Sequence, residues 1–422
     1  MSAVPEPRAN SSMDTPAQAQ ISPVHHSALA PLREPLFRTL WIAAVISYTG
    51  SWMQNIATGW LMSTLTSSPM WVSLVQVALS LPVFLIALPA GALADMIDRR
   101  KFLLVTQSSM VAAAAVLGVL TIRGAMTPQL LLVFTFLLGV GAVMNEPAWQ
   151  ALTPDLVPTP KLAAAVALNS AGFNIARAVG PALGGLIIAT AGNGVAFLLN
   201  AASFLGVILF LYLWKPTVPH VPLAGSLTSA IGGGMRYVRQ DRRIQAVLVR
   251  TLAFSLFTGA FWALLPLIAH AYGAEGYGAM LACFGVGALI GAAVLTRIRR
   301  KLSSDVVVAF GNVIFAAALF GLVRSHTLTL SSLCAAGAGL AWIGNLATLN
   351  FVAQTAVPAW VRARVMSMYI LALQGGLALG SALWGIVASQ RGIESTLTIA
   401  AAALCCGSPD FSSAICVAMA SV

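Results

Sequence analysis

The sequence predicts an all-α membrane protein with twelve transmembrane helices, arranged as two pseudo-symmetric halves of six helices each. Of its 422 residues, 59% are hydrophobic and 8% are charged, whereas a soluble domain carries roughly a quarter charged residues. Apolar runs such as 71–94 and 195–214 reach the ~20 residues that cross a bilayer. Similar residues also recur at a constant offset of 200 positions. A transmembrane barrel is excluded, because its strands alternate in polarity over ~10 residues.

Hydropathy and loop-breaking residues divide the chain into twelve predicted spans. These are 39–63, 71–94, 102–122, 128–151, 163–189, 194–214, 244–270, 276–296, 305–324, 328–351, 363–388 and 394 to about 416. The last span is interrupted by glycine, serine, proline and aspartate at 407–410. It is therefore expected to be either truncated, as by a frameshift after about Cys406, or a broken helix.

The spans and loops predict four segments. Residues 1–35, rich in Pro, Ala, Ser and Gln, are expected to form a disordered cytoplasmic tail. Residues 36–214 form the first six-helix half, 215–243 a cytoplasmic linker, and 244–422 the second half, with an aberrant end after about 406.

Basic residues are distributed unequally between the two sides of the predicted membrane. Eighteen fall on the side of the chain ends, and only Arg123, Arg324 and Arg391 fall on the other. Positively charged loops stay in the cytoplasm, so both termini are predicted to be cytoplasmic. The net charge of +11 is then explained by the orientation of the chain in the membrane, and it also favours contact with anionic lipid head groups. No nucleic-acid partner is expected.

The two halves are related by an internal repeat. The matching positions are 99–101 with 299–301, Gly91 with Gly291, Asn145 with Asn345, Pro158 with Pro358, Gly180 with Gly380, Gly185 with Gly385 and Gly192 with Gly392. Two parallel six-helix repeats are typical of secondary transporters, in which the halves rock around a site near the middle of the membrane.

The loop between the second and third spans reads GALADMIDRRK, residues 91–101. It resembles the loop signature of the major facilitator superfamily at Gly91, Asp95, Arg99, Arg100 and Lys101. Met96 and Asp98 stand where that signature has a basic residue and a glycine. The resemblance implies that Asp95 latches the two halves together on the cytoplasmic side. The alternative is a plain turn whose arginines only set topology.

The fifth span contains a GPxxGG pattern, formed by Gly180, Pro181, Gly184 and Gly185. Gly180 and Gly184 allow close helix packing, and Pro181 removes one helix hydrogen bond. The pattern is similar to the antiporter motif shared by exporters of the superfamily, which implies export and a bend that faces the other half. A general packing ridge is the alternative.

Arg177 lies about 14 residues into the fifth span, roughly 20 Å along the helix and near the bilayer middle. A charge there costs ~3 kcal/mol or more unless it faces water or a partner. Asn174 and Pro181 share its helix face, so this stripe is predicted to face a central cavity. Arg177 then binds an anionic group of the substrate or a charge partner during transport, or it fixes a buried network with Glu146.

Other polar residues inside the spans are candidates for substrate or proton contact. Glu146, about two turns from the cytoplasmic end of the fourth span, is the one acid clearly within a span. It is predicted either to carry a proton or to form a simple salt bridge. Gln54 and Asn55 in the first span are candidates for cavity lining or for hydrogen bonds between helices.

From about residue 36 to 400, and most specifically over 147–185, the chain looks most like the bacterial enterobactin-exporter-like subgroup, which also contains macrolide efflux proteins. The resemblance implies a monomeric secondary transporter of the bacterial cytoplasmic membrane. It would export small amphiphilic, siderophore-like or drug-like molecules by proton antiport with alternating access. A proton-coupled importer of a metabolite is the alternative. We expect no enzyme activity, cofactor or metal, since nucleotide, HExxH and serine-elbow motifs are absent.

Overall fold

The computed structural model describes residues 29–214 and 238–406, and these ranges contain twelve α-helices. The first half has α1 Pro35–Leu65, α2 Pro69–Met96, α3 Arg99–Ile122, α4 Pro128–Leu156, α5 Leu162–Ala191 and α6 Asn193–Leu213. The second half has α7 Arg242–Ile268, α8 Gly273–Ile298, α9 Ser304–Arg324, α10 Leu328–Thr355, α11 Ala359–Arg391 and α12 Ile393–Cys406. The predicted all-α fold is confirmed.

Most of these helices can cross a membrane. Nine segments of the described chain are long and apolar enough to do so, and one of them, Arg242–Leu295, runs through both α7 and α8. Helix α1 is not among the nine, and α12 is a shorter apolar helix. The exact number of twelve spans therefore stays a prediction.

The predicted segment boundaries are only partly covered by the structure. Residues 1–28, 215–237 and 407–422 lie outside the described residues, and with them most of the predicted tail, much of the linker and the aberrant end. The folded chain begins before the predicted boundary at 36, because Ala30–Arg33 form a 3-10 helix. Lys161 at the start of α5 holds this segment through an ion pair of 2.6 Å with Glu34.

Equivalent helices of the two halves end and begin in the same way, 200 residues apart. Thr127 and Thr327 cap α4 and α10, each accepting a hydrogen bond of 3.3 Å from the backbone N–H three residues on. Gly192 and Gly392 end α5 and α11 with φ of 85° and 81°, a conformation that favours glycine. The internal repeat is thus present in the backbone as well as in the letters of the sequence.

The helices of each half also pack in the same order. In the first half α1 packs on α5 and α6, α2 on α4, and α3 on α4 and α6. In the second half α7 packs on α11 and α12, α8 on α10, and α9 on α10 and α12. Each contact recurs six helices later, which confirms the two pseudo-symmetric halves.

The two halves meet along two seams, α2 against α11 and α5 against α8. These seams lie at the end of the bundle where α1 ends and α2 begins, which we call the sealed end. Here Trp60 of the first half stacks on His270 and Tyr277 of the second, with ring centroids 5.3 and 6.1 Å apart.

At the opposite end, which we call the basic end, each half has its own core. One large cluster of buried apolar residues contains members of both halves. Around Phe37, Trp149 and Leu211 a second cluster draws on the first half alone, and around Ile244 and Val361 a third draws on the second half alone. The halves are therefore joined at the sealed end and part at the basic end.

Candidate functional site

A chamber of about 580 Å³ lies between the halves. Helices α1, α4, α5, α7, α10 and α11 contribute to its lining. Helices α2 and α8 also line it, over about two turns or more each. Each of these two helices belongs to one seam, and its inner face borders the space that the seams close.

Aromatic side chains from both halves line the chamber. From the first half they are Trp52, Phe173 and Phe204, and from the second Trp262, Tyr277, Phe284 and Trp342. Aromatic side chains offer large apolar surfaces on which a flat ligand can stack.

Arg177 is the one charged side chain among the residues that line the chamber. Its guanidinium lies 6.0 Å from the ring centroid of Trp52 and 5.9 Å from that of Phe284. The prediction that Arg177 faces a central cavity agrees with this placement. The guanidinium thus lies between an aromatic ring of each half.

The predicted buried network between Arg177 and Glu146 does not form among the described residues. Glu146 is exposed and accepts a hydrogen bond of 2.8 Å from the side chain of Gln150, one turn along the same helix. That bond satisfies the carboxylate locally, and Glu146 does not line the chamber. This part of the prediction was wrong, since an intrahelical amide replaces the distant cation.

Asn174 does not line the chamber either. It is exposed, and its amide donates to the backbone oxygen of Ser170 at 2.8 Å. Of the predicted polar stripe, Arg177 and Pro181 reach the chamber. Asn174 lies three residues closer to the basic end, and its own helix satisfies its amide.

The neighbouring amides of α1 behave differently. Gln54 is buried, lines the chamber and accepts a hydrogen bond of 2.6 Å from the amide of Asn200 on α6, so it also joins two helices. Asn55 is half-buried, lines the chamber and has no hydrogen-bond partner among the described residues. Asn55 can therefore bind a ligand, whereas Gln54 is engaged in packing.

Sequence analysis identified none of the individual residues with which the second half lines the chamber, among them Gln374 on α11. Gln374 is half-buried and has no partner among the described side chains. It stands 200 residues after Asn174, so the internal repeat was a signal that could have identified it.

The basic residues of the 91–101 motif make their described contacts within the first half. Arg99 lies 3.8 Å from the carboxylate of Asp155, and Arg100 donates to the backbone oxygens of Leu211 and Tyr212 at 2.6 and 2.7 Å. Arg100 thus binds the carboxyl end of α6, where a cation is favourable.

The departure from the family signature at Asp98 has a local cause. Its carboxylate accepts from the backbone N–H of Lys101 at 3.1 Å and caps α3. Gly91 and Asp95 lie in α2, but the side chain of Asp95 is outside the described ones. The latch function of Asp95 remains a prediction.

The GPxxGG pattern joins α5 to a helix of each half. Gly180 and Gly184 face α1, where an added Cβ would lie 2.6 Å from Trp52 and 3.1 Å from Met53. Gly185 faces Gly278 of α8, where an added Cβ would lie 2.8 Å from the Cα atom. The pattern therefore builds one wall of the first half and one seam between the halves.

Two repeated helical halves around a chamber define a membrane transporter of the major facilitator superfamily, not an enzyme. Residues 26–414 match the model of the family described as Transmembrane secretion effector, and the chain belongs to that family.

Related transporters match most of the chain. It is 25% identical over 361 residues to the Staphyloferrin A transporter of Staphylococcus aureus, covering 85% of this chain and 90% of that one. It is 25% identical over 364 residues to the Enterobactin exporter EntS of Escherichia coli, covering 83% and 85%. The fold matches the nucleoside transporter NupG with a TM-score of 0.71 at 13% identity, over 90% of this chain and 99% of that one.

Proposed function

We propose that the protein exports small amphiphilic molecules, siderophore-like or drug-like, across the bacterial cytoplasmic membrane by alternating access, coupled to proton antiport. The observation that carries this proposal is the chamber of about 580 Å³ between two halves that are joined at one end only. Export is supported by the relative named as the Enterobactin exporter EntS and by the exporter-type GPxxGG pattern.

The proposed orientation places the basic end and both termini in the cytoplasm. Arg123, Arg324 and Arg391 are the basic residues of the sealed end, at the ends of α3, α9 and α11. The positive-inside rule then puts the sealed end outside. In this orientation the described state receives cargo from the cytoplasm, as the first step of export requires.

We propose that the moving bodies are the two halves, 36–214 and 244–422, connected by the linker 215–243. Transport would part the seams at the sealed end and close the halves at the basic end, with Asp95 as the latch there. Three ion pairs among the described residues of the basic end, Arg99–Asp155, Lys161–Glu34 and Arg250–Asp305, each join residues of one half. None of these three bonds has to break when the halves move.

For coupling, Glu146 is the proposed proton carrier. It is an exposed carboxylate inside α4, away from both helix ends. On the side where the halves part, it can exchange a proton with water and present a changed charge when the halves close. The transporter itself is proposed to work as a monomer, since one chain supplies both halves around the chamber.

The test uses cells with and without the protein, exposed to a panel of macrolides and other hydrophobic drugs and assayed for secretion of catecholate siderophores. We expect lower drug accumulation or greater siderophore secretion with the wild type, and collapse of both by a protonophore. Glu146→Gln should retain substrate binding but lose dependence on the proton gradient, and Glu394→Gln at the start of α12 is the matched control. Uptake in place of extrusion would favour the importer.

A further inference from the structure

We infer that the chamber selects molecules that carry one delocalised anionic group, such as a carboxylate, sulfonate or phenolate, on a flat apolar body, with Arg177 as the residue that binds the anion. This inference deepens the proposed function and rests on it. It follows from the charge, the geometry and the unpaired polar groups of the chamber.

Among the described residues, the chamber carries a single cation and no anion. No described acid lines it, and the described acids are engaged or located elsewhere. Glu34, Asp155 and Asp305 form ion pairs, Asp98 and Asp241 cap helices, Glu146 binds Gln150, and Glu275 and Glu394 lie at the starts of α8 and α12. An enclosed cation without a counter-charge is costly, so a bound anion is favoured and a cationic drug is repelled.

The geometry leaves the guanidinium free for a ligand. The two rings near Arg177, Trp52 and Phe284, lie at 6.0 and 5.9 Å, within range of a cation–π interaction. Neither ring accepts a conventional hydrogen bond, and no described residue forms a hydrogen bond or ion pair with Arg177, so its N–H edges are available. Those edges form a planar fork that binds a carboxylate or sulfonate through two parallel hydrogen bonds.

The flanking groups indicate the rest of the ligand. Trp52 and Phe284 belong to different halves, so rings bound beside the anion would contact both halves at once. Asn55 on α1 and Gln374 on α11 line the chamber without partners and can hydrogen-bond to substituents on either side. Such a ligand stabilises the two halves in one arrangement.

The experiment measures binding to the purified full chain in lipid nanodiscs, with no gradient. The probes are 1-anilinonaphthalene-8-sulfonate and N-phenyl-1-naphthylamine, which share the same rings and differ by the sulfonate. Fluorescence in empty nanodiscs is subtracted. The wild type should bind the sulfonate about ten-fold or more tightly than the neutral amine, because only the sulfonate can accept charge-assisted hydrogen bonds from Arg177.

Arg177→Gln should lose that preference, about ten- to hundred-fold, while binding of the neutral amine stays unchanged. Arg177→Lys should keep part of the preference, because it keeps the charge without the fork. Arg123→Gln, which removes an exposed arginine at the sealed end, is the matched control and should bind both probes as the wild type does. Unchanged amine binding also shows that the variant is folded.

Equal wild-type affinity for the two probes, or a preference that survives Arg177→Gln, would overturn the inference. The proposed function fails separately. If the anion binds through Arg177 but cells extrude no compound of the panel, the inference stands and export is refuted. If cells extrude neutral and anionic compounds alike, with or without Arg177, export stands and the selectivity is refuted.

Discussion

The seam between α5 and α8 offers the sharpest test of alternating access, through Gly185→Ala. A Cβ atom at this position would lie 2.8 Å from the Cα of Gly278 and 2.9 Å from the backbone oxygen of Ala274. Both neighbours are backbone atoms, so no side chain can rotate away. Ordinary contact begins at 3.4 Å, so the two helices must separate by about 0.6 Å to restore it, the difference between 3.4 and 2.8 Å.

Overpacking of this kind costs about 1–3 kcal/mol. The cost applies to the sealed state, because the proposed transport cycle parts this seam in the other state. The equilibrium should therefore shift about five- to 150-fold toward the state that is open at the sealed end. Adding a single methyl group should thus change the populations of the two states by a measurable amount.

The assay is labelling of a single cysteine, Val72→Cys, by a membrane-impermeant maleimide added outside cells, with the five native cysteines replaced. Val72 lines the chamber near the sealed end and is only 2% exposed. Gly185→Ala should speed labelling, and Gly337→Ala on α10 is the matched control, because an added Cβ there meets nothing within 4 Å. Equal labelling rates in the two variants and the parent would refute the reasoning.

Three further outcomes follow from contacts described above. Asn200→Leu should lower the unfolding temperature in detergent, since it leaves the buried Gln54 unpaired at a cost of about 1–3 kcal/mol. Adding Gln54→Leu should restore part of the loss, and additive effects of the two substitutions would contradict a direct bond. Arg99→Gln with Asp155→Asn should show a coupling of about 1 kcal/mol or less in a double-mutant cycle, because the pair is partly exposed, and a larger value would indicate a further shared partner. Asn55→Ala should lower transport several-fold while the unfolding temperature stays within error, because no described residue bonds its amide, and a matching fall in both would place Asn55 in the packing.

Much of the fold was readable in the sequence, for physical reasons. A helix that crosses lipid needs about 20 predominantly apolar residues, so the helices stand out as apolar runs in the sequence. The repeat was equally visible, and Thr127 with Thr327 and Gly192 with Gly392 show why. Cap and turn positions restrict the residue type, so they keep the same residue in both halves.

The site was only partly readable. Arg177 was identified because a charge inside an apolar helix needs a special environment. The aromatic lining of the second half was missed, since Trp262 or Trp342 looks the same in a sequence whether it faces lipid, core or chamber. Only the rotation and tilt of each helix decides that, and packing sets both. The network expected between Arg177 and Glu146 does not form, because Gln150, one turn from Glu146, already donates a hydrogen bond to its carboxylate.

The meeting of Gly185 with Gly278 has a consequence for how cheaply the protein can move. At this glycine contact no side chains interlock, unlike the ring stack of Trp60 on His270 and Tyr277 at the same end, so the two backbones can separate directly. The helical backbone on both sides already has its hydrogen bonds satisfied internally, and glycine has no rotamer to change. What is lost on separation is mainly weak dispersion attraction, which water, lipid or passing cargo can partly replace, so the surface can come apart and rejoin many times without repacking.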